Sequence, residues 1–410
     1  MRVLFTTSAW PTHYFSMVPI GWALQAAGHD LRVTCAPSQT ETIARTGLTP
    51  VPIMDGLEMT FASRLGRYQR ALAAGAPYRP GSVLHPITAA PLDRLTDFDL
   101  PGYRAAHRER NLDLMRASCD NVVAHAREWR PDLVVHDPQN VEGLLAATLT
   151  GVPAVCNLWG YVGTHETEPE LGIVTGDHSD SFPRYGLPPM TADMITWAVD
   201  PCPEGASPMT RAARLPVRYV PYNGAGHAPD WVRLPPAHGR PRVLVSWSTA
   251  LSRVYGERSY LLPTILDALA GLSAEVVLAA TPADVERLGD RLPEWVRVLV
   301  GCPLRLVLPT CAAVLHHGGA GTTMTSTVAG VPQLALTFEA EQAMQARRAV
   351  SGGSGLHHDG TEVTAGLIRR DVTALLSEPS YAEAAGQLRA AALARPTPAE
   401  LVENLEKLAG

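Results

Sequence analysis

The chain has 410 residues, 46% of them hydrophobic and 18% charged, with a formal net charge of −6. That length exceeds one ordinary core and predicts two domains, and the composition is that of a globular protein. With no basic stripe or polybasic run, the charge balance excludes nucleic-acid binding and electrostatic attachment to an anionic membrane.

Arg2 to Thr7 is an apolar run that predicts a buried strand, followed by a loop from Ser8 to His13. Met17, Val18, Ile20, Trp22, Ala23 and Leu24 then fall at helical spacing, and Gly28 ends that helix. Leu31 to Cys35 predicts a second strand, so the chain opens as a parallel, doubly wound sheet. Ser38 to Thr46 predicts a helix and Leu48 to Ile53 a strand. From Met54 to His107 the periodicity fails, and glycine and proline recur among Met59, Phe61, Tyr68, Tyr78, Phe98 and Tyr103. Such a stretch reads as irregular and functional or mobile. Helical spacing returns over Arg108 to Trp129. Strands follow at Asp132 to His136 and Val152 to Asn157, around a helix from Asn140 to Thr150. Leu158 to Met190, with Trp159 and Tyr161, is a second irregular region.

Arg218 to Gly239 holds four prolines and three glycines and reads as an interdomain linker. Strands are predicted at Arg242 to Trp247, Glu275 to Ala280, Val296 to Val300 and Gln333 to Thr337. Helices are predicted at Tyr260 to Ala270, Pro282 to Leu288 and Ala340 to Val350. Two more helices run to Ala394. Beyond Pro396 and Pro398, Leu401, Val402, Leu405 and Leu408 make one apolar helix face. The predicted domains are 1–217 and 242–395, with a linker at 218–241 and a last helix at 396–410. The six cysteines form no CxxC pair and read as free thiols of a reducing compartment. No apolar run reaches membrane-spanning length, and the chain starts directly on a strand pattern. The expectation is a cytoplasmic protein without a signal peptide.

The strongest motif is VLHHGGAGTTMTSTVAGVP, Val314 to Pro332. An apolar run meets His316 and His317, then Gly318, Gly319 and Gly321, and a helix from Thr322 to Gly330. A strand entering a helix through glycines points unpaired N–H groups outward, and the helix dipole adds positive character. The turn therefore suits a phosphate, with His316 as a hydrogen-bond donor to it. Read blandly, it is a tight turn without a ligand.

HHGGAGTT, followed by AGVPQLAL and Glu341-Gln342, resembles the donor signature of GT-B glycosyltransferases. With HYFSMVPIGWALQAAGH, RYVPYNG, LPTCAAVLHHGGAGTT and PTPAELVENLEKLAG, nearly the whole chain is similar to the actinobacterial enzymes that place deoxysugars on macrolides and aromatic polyketides. The resemblance implies two Rossmann-like domains facing a cleft, with acceptor on the first and nucleotide-sugar on the second. It implies inverting transfer from a dTDP-deoxysugar to an apolar polyketide aglycone, with no metal or other cofactor. In the family the last helix crosses back to the first domain. A P450-like helper protein is also implied, and a homodimer is compatible with it.

On the same basis His13 is the base for the acceptor hydroxyl, and Asp137, at a strand end, orients its imidazole. The plain alternatives are a solvent-facing loop histidine and a helix N-cap. Ser248, Thr249, His316, Gly318, Gly319, Gly321 and Thr322 would hold the diphosphate, and Glu341 and Gln342 the sugar. The family more often has Asp-Gln, and the extra methylene here alters that contact. Met59, Phe61, Trp159 and Tyr161 would line the acceptor site. The nucleobase belongs near Gly301 to Leu304, where the family's aromatic residue is missing and Trp247 or Trp295 could replace it. Asp97-Phe98-Asp99 resembles a metal-binding DxD but lies in irregular chain, and His357-His358 near Asp359, which could bind a metal, reads as an exposed loop. A nucleotide-sugar epimerase of the same fold and a non-catalytic sugar-nucleotide binder remain the alternatives.

Overall fold

The computed structural model describes all residues except 57, 75–77, 169–170, 237–238 and 248. In chain order the strands are β1 (Arg2–Thr6), β2 (Asp30–Thr34), β3 (Thr49–Val51), β4 (Leu133–His136), β5 (Ala154–Asn157), β6 (Trp197–Asp200) and β7 (Ala213–Pro216). Then come β8 (Arg242–Ser246), β9 (Glu275–Ala280), β10 (Val296–Val300), β11 (Ala313–His316), β12 (Gln333–Thr337) and β13 (Gly355–Asp359). The helices begin with α1 (Val18–Ala26), α2 (Thr40–Ala44), α3 (Met59–Ala74), α4 (Leu100–Trp129), α5 (Val141–Thr150), α6 (Ser181–Arg184), α7 (Thr249–Tyr255) and α8 (Leu262–Leu269). They continue with α9 (Pro282–Leu288), α10 (Leu304–Val307), α11 (Ala320–Ala329), α12 (Ala340–Val350), α13 (Ala365–Ser377), α14 (Pro379–Leu393) and α15 (Pro398–Ala409).

The chain divides into two compact units. The first comprises 1–57, 103–224 and 391–410; the second comprises 58–102 and 225–390. Each is built on one parallel sheet. The first sheet has the order β3-β2-β1-β4-β5-β6-β7, the second β10-β9-β8-β11-β12-β13. In both, the chain starts in the middle, runs out to one edge, and returns to the other side of the starting strand. The switch points therefore lie between β1 and β4 and between β8 and β11. Ligands of doubly wound sheets bind beyond the carboxyl ends of the strands at such points.

Parallel strands are covered on both faces, so their residues are apolar almost throughout. In the first unit Val3, Phe5, Val33, Leu133 and Val135 pack with Met17, Ile20 and Leu24 and with Leu401, Val402 and Leu405 of α15. In the second, Val243, Val245 and Leu315 face one cluster with Ile265 and Ile368. Leu244, Val277 and Val314 alternate to the opposite face, against Val307 and Leu308.

Four sequence expectations change. Residues 59–74 form a helix with Arg64 and Tyr68 buried, and α4 starts at Leu100 instead of Arg108. The irregular stretch is thereby much shortened, and its mobility no longer supplies a reason for a helper protein. Residues 197–200 and 213–216 add two strands to the first sheet, hidden because Asp200 and Arg214 break up their short apolar runs. His357 and His358 lie on β13, an edge strand paired with β12, not in a loop.

Candidate functional site

The switch point of the first sheet gathers Thr7, Ser8, His13 and Asp137. β1 and β4 are neighbours, with Thr6 opposite His136, so the residues following each strand emerge side by side. Asp137 is fully buried, and both carboxylate oxygens are engaged. Its Oδ2 accepts from the Ser8 N–H at 2.6 Å and from the Thr7 hydroxyl at 3.1 Å. Its Oδ1 accepts from the Gln139 N–H at 2.7 Å. The helix N-cap is Asn140, whose Oδ1 accepts from the Gly143 N–H at 2.7 Å, so Asp137 is not the cap. Gly143 is required here, because a Cβ would lie 2.0 Å from Thr6 Oγ1.

His13 opens the short 3-10 turn before α1 and is half-buried, not turned to solvent. Its Nδ1 lies 2.9 Å from the Ser8 hydroxyl oxygen. Trp159 stacks on the ring at 4.3 Å between centroids and 27° between planes. Burial holds the imidazole below its ordinary value of 6.5, and the Asp137 charge opposes that shift. The neutral, proton-accepting form is thus the resident one near pH 7. The carboxylate does not bond the imidazole directly; Ser8 stands between them. Ser8 escaped sequence reasoning because a lone serine in a loop carries no spacing signal. Tyr161 is fully buried, while Trp159 keeps 7% exposure. Met59 and Phe61 are half-buried in the first turn of α3, in the second unit.

At the switch point of the second sheet, β11 runs into the glycine turn, and Gly319 is the N-cap of α11. The first helical bond is Thr323 N–H to Gly319 O at 3.0 Å, which leaves the amides just before it directed outward. Gly318 has φ of +82°, and a Cβ there would lie 2.6 Å from Thr337 Cγ2, so only glycine fits. Gly321 is exposed and Thr322 half-buried.

His316 is fully buried. Its Nε2 lies 3.0 Å from Gln333 Oε1, and its Nδ1 accepts from the Gly318 N–H at 3.0 Å. Those bonds define an Nε2–H tautomer, and burial lowers its pKa to about 3. With both nitrogens engaged, this imidazole braces the turn and presents no free N–H. His317 is half-buried, its Nδ1 has no partner, and burial lowers its pKa to about 4.

Thr249 is the first residue of α7, and Ser248 lies outside the described residues. Glu341 and Gln342 are in the first turn of α12. Glu341 Oε1 accepts from Gln345 Nε2 at 3.2 Å, and Gln342 Oε1 from the Phe338 N–H at 3.2 Å. Beside them Glu339 accepts from the Tyr255 hydroxyl and pairs with Arg70 at 3.3 Å. The Arg67 guanidinium sits 4.2 Å over the Tyr255 ring. Burial and then Glu339 push the Tyr255 phenol well above its ordinary range. No motif marks this cluster, since its members come from three separate segments.

Trp247 is buried, with its N–H donated to Ser259 O at 2.8 Å, whereas Trp295 is 43% exposed. Asp97 and Asp99 serve local turns, accepting from the Arg94 and Gly102 N–H groups at 3.0 and 2.9 Å. Among the described residues no group of three or more His, Cys, Asp or Glu could hold a metal ion. No helix among them is long and apolar enough to cross a membrane.

Two family models match the chain. Residues 22–248 match the N-terminal domain described as erythromycin biosynthesis protein CIII-like, and residues 263–408 match the C-terminal domain of the same description. Aklavinone 7-beta-L-rhodosaminyltransferase of Streptomyces galilaeus is 34% identical, covering 100% of this chain and 96% of its own. Tylactone mycaminosyltransferase of Streptomyces fradiae is 33% identical, over 100% and 92%. Among solved structures, the glycosyltransferase VinC in complex with dTDP superposes with a TM-score of 0.74 at 28% identity, over 100% of this chain and 99% of that one.

Proposed function

Since the chain belongs to the erythromycin biosynthesis protein CIII-like family of glycosyltransferases, we propose that it moves a deoxysugar from a dTDP-sugar to a polyketide aglycone in antibiotic biosynthesis. Relatives named as rhodosaminyl- and mycaminosyltransferases support transfer over epimerisation or passive binding. The observation that carries the reading is the turn from His316 to Thr322, a helix N-terminus built for an anion at the switch point of a parallel sheet.

The diphosphate is received by the amides at the start of α11 and by Thr322, and the same turn receives the negative charge that develops as the diphosphate leaves. His316 holds this turn from behind. Ser248 and Thr249, after β8, are assigned to the donor phosphates, and Glu341 and Gln342 to the sugar. In the first unit His13 is the base and Trp159 borders the acceptor. The acceptor O–H proton passes to His13 Nε2, its oxygen bonds to the anomeric carbon, and the bond from that carbon to the diphosphate oxygen breaks. The leaving oxygen keeps the electron pair, and the configuration inverts. Because the helix N-terminus supplies the positive character, the reaction requires no metal.

The test is incubation of the protein with a dTDP-deoxysugar and a polyketide aglycone, followed by mass spectrometry. A product heavier than the aglycone by one sugar residue supports the reading. Conversion of the donor into another sugar nucleotide without acceptor would make the chain an epimerase.

A further inference from the structure

We propose that Ser8 is a positioning residue that fixes which nitrogen of His13 accepts the substrate proton, an inference that rests on the reading of His13 as the base. A histidine serves as base only through a nitrogen bearing a lone pair, so the other nitrogen must hold the proton. In a His–carboxylate pair the acid selects the tautomer by accepting from Nδ1–H. Here that place is occupied by the Ser8 hydroxyl oxygen, 2.9 Å from Nδ1. The Asp137 carboxylate is spent one step further back, on the Ser8 N–H at 2.6 Å, the Thr7 hydroxyl and the Gln139 N–H.

The arrangement works as a relay of position rather than of charge. Asp137 anchors the backbone at Ser8, and in the proposed arrangement the hydroxyl turns its own proton away from the ring so that its oxygen accepts from Nδ1–H. Nε2 is thereby left with its lone pair for the acceptor hydroxyl. Ser8 itself is 6% exposed, so water competes little for the bond. Trp159 clamps one face of the ring and removes its rotational freedom. The indole face also favours the imidazolium that forms once the proton has moved. Asp137 is the charged group that bears on His13, and it favours the same cation.

The tautomer is read directly by nitrogen-15 NMR of the histidine-labelled protein, with His13→Ala identifying the signals. Wild-type His13 is expected as the Nδ1–H form. Ser8→Ala should shift it toward Nε2–H, lower kcat/KM roughly 10–100-fold through loss of the competent tautomer, and leave the donor KM unchanged. Ser8→Thr, which keeps the hydroxyl, should restore the Nδ1–H signal. A wild-type Nε2–H signal overturns the proposal without any Ser8 variant having to fold. An unchanged tautomer and rate in Ser8→Ala, beside an inactive His13→Ala, overturns it as well. A His13→Ala protein with near wild-type turnover strikes the underlying reading of the base instead.

Discussion

His13 and His316 have the same side chain and are set to different tasks by what bonds them. His316 has both nitrogens engaged and no exposure, so protonation would break the turn. Its pKa is about 3 in the folded protein against 6.5 in an unfolded chain. Between those values the unfolded state binds the extra proton, so stability rises with pH across this window and is lost as pH falls. The slope is about 1.4 kcal/mol per pH unit at most. Denaturant unfolding at pH 7 and 5 should show a smaller loss in His316→Ala than in the wild type. That variant should also weaken dTDP binding by about 1–3 kcal/mol, since the Gly318 amide loses its acceptor. Unchanged dTDP affinity by calorimetry would detach the turn from the donor. The HHGGAGTT motif was legible as a strand-to-helix turn because glycine spacing fixes backbone geometry. The division of labour between its histidines was not, since it depends on Gln333, which sits on the neighbouring strand.

Among the elements, α3 is the one that the pattern of apolar residues concealed. Its buried face carries a charged residue, Arg64, whose guanidinium donates to Pro86 O at 2.8 Å and Arg253 O at 2.9 Å. A hydrophobic-periodicity reading treats that position as surface. Replacing Arg64 with Met keeps the aliphatic stem but orphans two carbonyls, and should destabilise the second unit by about 1–3 kcal/mol in denaturant unfolding. An unchanged midpoint would mean water replaces the guanidinium. The helix α15 shows the opposite case. Its apolar face was legible at 401, 402, 405 and 408, and Leu401 and Leu405 are fully buried in the first unit. Leu405→Ala should cost about 2–5 kcal/mol. A loss below about 1 kcal/mol would show that the site collapses around the smaller side chain.

At the scale of the whole molecule, the two units repeat one plan: a parallel sheet with a single switch point, where we propose that the chemistry lies. The alternation of apolar strands and helical segments made both sheets legible, apart from β6, β7 and β13, whose sequences WAVD, ARLP and GLHHD carry polar residues that interrupt the apolar run. The first switch point holds the His13 imidazole, kept neutral by burial, beside the Ser8 hydroxyl. The second presents the N-terminus of α11, capped by Gly319. The account accordingly predicts that turnover survives EDTA, because a helix end does the work of a cation. Loss of turnover on chelation, restored by Mg²⁺, would contradict it.

The central claim is that His13 takes the proton from the acceptor while the second unit alone binds the nucleotide. The direct measurement is His13→Ala, assayed for transfer to a polyketide aglycone and titrated with dTDP in parallel. The account predicts turnover down by roughly 100-fold or more, with dTDP affinity unchanged. Turnover near that of the wild type would contradict it.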